Sequence, residues 1–247
     1  MDFEGKKILI TGASNGIGRE TAICLDSMGA ETILVARRDD KLQQVSAQMK
    51  NNCICVPFDL SKSEDIENIF LELIERDIKL DGMVYCAGVA DVNLVKNVSL
   101  EDVQKSININ AIAFYMLCKY FALPKYSNKE SSIVGISSIA SLKHEPGMSL
   151  YAMTKEAMNV TVKVMAKEFV KRKIRLNNVL PAQVMSKMAC ETNDWTEDEI
   201  EEVRSYQPFG IIPIEQVVNC ITFLLSEKAK YITGECIAIS GGYKTRD

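Results

Sequence analysis

Short apolar runs alternate with stretches whose apolar residues recur at helical spacing along the whole chain. Lys7–Thr11 (KILIT), Glu31–Ala36 (ETILVA), Cys53–Phe58, Asp81–Cys86 (DGMVYC), Ser132–Ile136, Ile174–Leu180 and Cys236–Ser240 read as strands. Residues 16–28, 40–50, 61–76, 99–122, 151–171, 196–205 and 214–226 read as helices. The strands are apolar throughout, as expected of strands covered on both faces. Strand–helix alternation at this spacing predicts an α/β fold, a doubly wound parallel sheet of about seven strands with helices on both sides.

No repeat, low-complexity tract or linker interrupts the pattern, so residues 1–247 read as a single domain. The one acidic, less apolar stretch, Glu191–Glu202 (ETNDWTEDEIEE), reads as part of a flap over about 185–210. Hydrophobic residues make up 47% of the chain, enough for a large core without disulfides or metal. A net charge of −4 offers no basic surplus for a phosphate backbone, which argues against nucleic acid as a partner.

The first residues carry no apolar signal core, and no run is long enough to cross a membrane, so a cytoplasmic protein is expected. The eight cysteines contain no C-x-x-C pair and read as buried free thiols, with Cys53 and Cys55 expected on opposite faces of their strand. With His144 the sole histidine, no metal site is expected.

The first chemistry-bearing motif is Thr11-Gly12-Ala13-Ser14-Asn15-Gly16-Ile17-Gly18, between the first strand and the first helix. Such a turn lets backbone approach a pyrophosphate and aims N–H groups and the helix dipole at it. It lacks the Gly-Lys-Ser/Thr of an ATP-binding loop, and the alternative is a turn needed only for chain geometry.

Across essentially its whole length the chain resembles the short-chain dehydrogenase/reductase family, and with it a single-domain Rossmann fold. The resemblance implies that Gly12, Ser14, Asn15, Gly16, Ile17 and Gly18 bind cofactor phosphates. It implies that Asp59, beside Leu60, holds the adenine amino group. Tyr85-Cys86-Ala87-Gly88 matches the family's Asn-Asn-Ala-Gly element but replaces both asparagines; Ala87 and Gly88 keep the backbone free to pass the cofactor. Pro181, Val184 and Ser186 match the segment that packs on the nicotinamide, with Ala182 in place of a glycine whose backbone could need a positive φ.

Tyr151-Ala152-Met153-Thr154-Lys155 puts a phenol and an ammonium on one helix face. A phenol titrates near about 10, and a neighbouring ammonium is expected to lower that value so that tyrosine can exchange a proton with a carbonyl oxygen. Ser138 lies thirteen residues earlier at the end of the fifth strand, where ligands of such sheets bind. In the family this serine bonds the substrate oxygen, and an asparagine matched by Asn110, with Asn108 as its rival, supports a proton relay beside the lysine. Asn110, Ser138, Tyr151 and Lys155 are therefore the expected catalytic set, with Tyr151 and Lys155 also touching cofactor.

The second strand ends in Ala36-Arg37-Arg38 where an NAD enzyme usually carries an acid, so NADP is expected before NAD. Asp39 or Asp40 is the expected cap of the helix that follows. The reading is an NADP-dependent oxidoreductase acting on a small carbonyl or alcohol. One alternative is a 3-oxoacyl-carrier-protein reductase, with Arg172 at a carrier-binding position and Ser132 where arginine is typical; another is a catalytically silent NADP-binding protein. His144 and the flap aromatics Trp195, Tyr206 and Phe209, with Met188, are candidates to face substrate. Apolar residues beyond one stripe on the two long helices, including Phe114, Tyr115, Met116, Met158, Val162 and Met165, predict a homotetramer or homodimer, and the family pairs through the same helices.

Overall fold

The structure, a computed structural model, describes residues 2–185 and 196–243. Its strands are β1 (Lys7–Thr11), β2 (Glu31–Ala36), β3 (Cys53–Pro57), β4 (Leu80–Tyr85), β5 (Ser127–Ile136), β6 (Arg175–Pro181) and β7 (Cys236–Ile239). They form one sheet in the order β3-β2-β1-β4-β5-β6-β7, parallel throughout. The helices are α1 (Gly16–Ser27), α2 (Asp39–Ser46), α3 (Glu67–Glu75), α4 (Leu100–Ile107), α5 (Ala113–Phe121), α6 (Ala140–Lys143), α7 (Ser149–Glu168), α8 (Glu197–Tyr206) and α9 (Ile214–Leu225).

Alternation along the strands divides the core into two layers. In β1, Leu9 faces a cluster with Phe70 of α3, Phe114 of α5 and Met158 of α7, while Ile8 and Ile10 face Leu25 of α1, Leu42 of α2 and Ile221 of α9. Both faces of the sheet are thus sealed by helices, which is why the strands are largely apolar on both sides. Strand order reverses between β1 and β4, and the crevice beyond their C-terminal ends is where such sheets take ligands. Among the described residues no helix is long and apolar enough to cross a membrane.

Several boundaries differ from the expected ones. β5 begins at Ser127, with an irregular register against β4 between Leu80 and Gly82. The single helix expected over 99–122 is two helices joined by a π-helical turn, Asn108–Ile112. Ser99 caps the first of them through a reciprocal bond pattern with Asp102. Asp39 and Asp40 occupy the first turn of α2 and Arg38 the cap position. Cys53 and Cys55 share one side of β3, since residues two apart do; both pack on the α1/α2 layer while Ile54 packs on the other.

Arg172 is not at the site. Its guanidinium donates to the carbonyls of Ala122 and Ser127, each at 2.6 Å, at the N-terminal edge of the sheet. Ser132 is buried and donates to the Leu224 carbonyl at 3.0 Å. Ser132 is thus closed to a carrier protein, whereas Arg172 is partly exposed but held by these backbone bonds. Of the apolar residues beyond one stripe on the long helices, Phe114, Met158, Val162 and Met165 are core and Tyr115 projects, and Leu100, Ile112, Met153, Val160 and Val164 project as well.

Candidate active site

A cavity of about 610 Å³ opens along the C-terminal edge of the sheet. One end is the turn from β1 into α1. Gly12 has φ +65° there, and a Cβ on it would lie 2.9 Å from the Ala87 nitrogen. A Cβ on Gly18 would lie 2.4 Å from the Gly12 carbonyl oxygen. The glycines therefore let the turn, the helix and the end of β4 close on one another. The Thr11 hydroxyl completes that closure by accepting from the Cys86 and Ala87 N–H groups at 3.1 and 3.2 Å. No side chain caps α1, so its first turn presents backbone N–H groups beside Ser14, Asn15, Gly16 and Ile17, all on the cavity wall. This donor set and dipole fit a pyrophosphate.

The wall continues through Ala36, Arg37 and Arg38, both arginines exposed, to Asp59 and Leu60. Burial opposes ionisation of Asp59, but hydrogen bonds from Ser61, with the charges of Arg37 and Lys62, prevail and hold its carboxyl below the usual range. The arrangement fits the adenosine end of a dinucleotide.

At the other end Ser138, Tyr151 and Lys155 meet. Ser138 lies two residues beyond the end of β5, and its Oγ accepts the Ala140 N–H at 3.1 Å. The partly buried Tyr151 hydroxyl has its pKa raised by burial, against which the hydrogen bond with Ser138 pulls down. The expected lowering by the lysine is not found: Lys155 is itself buried and pushed down to about 8. Its Nζ lies 5.7 Å from the Tyr151 ring centroid and donates to the Ile136 carbonyl at 2.8 Å. Ser137, the neighbour of Ser138, is buried and donates to the Lys155 carbonyl at 3.0 Å.

Asn110 sits in the π-turn, fully buried. Its Oδ1 accepts from Val89 N–H, and its Nδ2 donates to the Val89 carbonyl and the Thr154 hydroxyl, all at 2.9 Å. It so joins the segment after β4 to the helix bearing Tyr151 and Lys155. A Cβ on Gly88 would lie 3.2 Å from Asn110 Oδ1 and 3.4 Å from Lys155 Nζ, so the two side chains converge on that glycine. Asn108 is only partly buried and begins the turn.

Pro181 and Val184 line the cavity, and Ala182 is not among the residues of positive φ, so it carries no such strain. Ser186, Met188 and Trp195 lie outside the described residues. Tyr206 lines the cavity, Phe209 is 90% exposed, and His144 is exposed at the end of α6 in the left-handed region. One wall was not foreseen. Tyr243 donates to Glu145 at 3.3 Å, packs on Tyr206 at 5.2 Å between centroids with the rings tilted by 57°, and lies under the Lys143 ammonium at 5.5 Å. The Gly241-Gly242 pair was the available signal: both have positive φ and turn the chain onto Gln207 and Pro208.

Known proteins carry the same frame. A family model described as enoyl-(acyl carrier protein) reductase matches residues 12–244. The 3-oxoacyl-[acyl-carrier-protein] reductase FabG of Rickettsia conorii is 31% identical over 242 residues, 98% of each chain. The L-xylulose reductase of Caenorhabditis elegans is 27% identical, covering 98% of this chain and 97% of its own. A solved structure of 4-hydroxyisoleucine dehydrogenase complexed with NADH superposes with a TM-score of 0.90 at 27% identity, over 98% of this chain and all of that one. The glycine turn, the Ser138–Tyr151–Lys155 cluster and these likenesses agree: the chain belongs to the short-chain dehydrogenase/reductase family of nicotinamide-dependent oxidoreductases.

Proposed function

We propose that the chain is a single-domain, NADP-dependent reductase of a small carbonyl compound, with Tyr151 as its acid/base. The observation that carries this is the convergence of Ser138, Tyr151 and Lys155 at one end of a cavity whose other end is the glycine turn. When bound, the nicotinamide supplies or takes the hydride. The chain's own residues do the rest. Ser138 holds the substrate oxygen, and Tyr151 gives that oxygen a proton, or removes one in the oxidative direction. A phenol kept neutral by burial is in the form that donates the proton in the reductive direction. Lys155, cationic below about pH 8, binds cofactor, while the hydrogen bond from Ser138 favours the phenolate left behind. Asn110 fixes the backbone beside the lysine for proton resupply.

For the cofactor, Gly12, Ser14, Asn15, Gly16, Ile17 and Gly18 would hold the pyrophosphate, Asp59 and Leu60 the adenine, Ala87 and Gly88 the passage between, and Pro181, Val184 and Ser186 the nicotinamide. Arg37 and Arg38 favour a 2′-phosphate. Tyr115, Val160 and Val164, exposed on α5 and α7, support a homodimer or homotetramer. Seven free thiols among the described residues suit the cytoplasm.

The names of the Rickettsia relatives favour a 3-oxoacyl thioester as a second reading; the bonds that tie the Arg172 guanidinium to the Ala122 and Ser127 carbonyls leave it less free to hold an acidic carrier. The test is NADPH oxidation with ketones, aldehydes and β-ketoacyl thioesters. Tyr151→Phe should keep NADPH binding and lose at least ~10²-fold in turnover. Near-normal turnover in that variant overturns the assignment, silent cofactor binding included among the outcomes if no substrate is turned over by the wild type.

A further inference from the structure

We infer that Tyr85 is a positioning residue of the active site, its hydroxyl holding the π-turn that carries Asn110. The inference rests on the role just proposed for Asn110. In a continuous α-helix the Ile109 carbonyl would accept from the Ala113 N–H, four residues on. Here the Ala113 N–H bonds to the Asn108 carbonyl instead, five residues back. The Ile109 carbonyl is thereby deprived of its helical donor inside the core, where an unpaired carbonyl is costly.

The donor it receives is the Tyr85 hydroxyl, from the last residue of β4. Tyr85 is fully buried, and its ring packs on Phe114 at 5.3 Å between centroids. Burial drives its pKa well above the ordinary phenol value, so it stays protonated and donates throughout the working pH range.

The turn determines where Asn110 points. Each residue of an α-helix advances about 100° around the axis, so restoring α-register would rotate Asn110 away from Val89 and Thr154. Those contacts set the spacing of the Gly88 backbone, Asn110 and Lys155. Tyr85 acts through this geometry and touches none of the reacting atoms. It stands where the resemblance expects asparagine, so in this chain a strand-end tyrosine does the bracing.

The test compares wild type, Tyr85→Phe, Asn110→Ala and the double variant in NADPH turnover, with KM for NADPH and the pH profile of kcat. Tyr85→Phe should lower kcat about tenfold, roughly the worth of one buried hydrogen bond, with KM for NADPH within about twofold and the profile displaced. On the Asn110→Ala background the same change should cost nothing further, because the path it acts through is already gone. If Tyr85→Phe stays within about twofold of wild type, or costs the same factor on both backgrounds, Tyr85 does not act through Asn110 and the inference falls. If Asn110→Ala leaves kcat unchanged, the reading of Asn110 falls first, and this inference with it. Should the Phe variant not fold, 4-aminophenylalanine at 85 should retain turnover and 4-methylphenylalanine should not; equal activities overturn the inference.

Discussion

Raising the pH should weaken activity and strengthen the fold over the same interval, because both respond to Lys155. Burial lowers its pKa from 10.5 to about 8, with the nearby Cys86 acting weakly the other way. The group is 4% exposed, so solvent screens the effect little. A shift of about 2.5 units at about 1.4 kcal/mol each means that the folded state holds the ammonium at a cost of about 3 kcal/mol. Below pH 8 both folded and unfolded chains carry the proton, and that full cost is present. Between about 8 and 10.5 the unfolded chain binds the proton and the folded one does not, so this group adds stability as pH rises. On the role proposed for Lys155, activity runs the opposite way, since the cation is the form suited to hold cofactor. The assay is kcat/KM for NADPH, which reports the free enzyme, from pH 6 to 10, beside urea unfolding at the same values. Lys155→Met provides the reference that cancels every other titrating group. The expected result is a fall in kcat/KM approaching tenfold per pH unit above about 8, and a gain of about 3 kcal/mol in wild type relative to Lys155→Met by pH 10.5. A flat rate profile to pH 10, or a stability difference that does not change with pH, refutes the reasoning.

The arginine pair gives a second test: Arg37→Ala with Arg38→Ala should raise KM for NADPH about tenfold, at the low end for charged hydrogen bonds because both are exposed, and leave KM for NADH nearly unchanged. An unaltered cofactor ratio means that the pair does not read the phosphate. Gly12→Ala should cost about 1–2 kcal/mol from its left-handed backbone and abolish the rise in Tm that NADPH produces, measured by thermal melts; an undiminished rise would show that the turn holds no phosphate. Light scattering at micromolar concentration should give a dimer or tetramer, and Val160→Asp with Val164→Asp should yield monomers. A monomeric wild type sinks that assignment.

The sheet was legible because burial on both faces writes each strand as an apolar run, and the glycine turn because its spacing is local. The Ser138, Tyr151 and Lys155 cluster was legible for the same reason, two of the three lying on one turn of helix. What escaped depends on distant partners. The break in the helix over 99–122 has no local breaker; its donor comes from Tyr85, on a strand. Helical spacing shows that Phe114 and Met158 lie on an apolar face but not which of two faces meets the sheet, which only the packing of the helix decides. The Tyr243 wall exists only after the chain has folded back on Gln207.

The order of strands has a consequence for the nascent chain. β1 is bordered on one side by β2, which is made soon after it, and on the other by β4, with Ile8 beside Gly82. As synthesis proceeds, β1, β2 and β3 can pair while that second edge of β1 stays open until β4 arrives. During that interval the growing chain presents an apolar strand with unpaired N–H and C=O groups, the kind of edge that invites pairing with another chain. Pairing so distant in sequence is also slow, since the intervening loop must be closed first. One vulnerable period of this protein's biogenesis is therefore the stretch of translation between its third and fourth strands, when a pause would lengthen the exposure and a ribosome-bound chaperone would cover it.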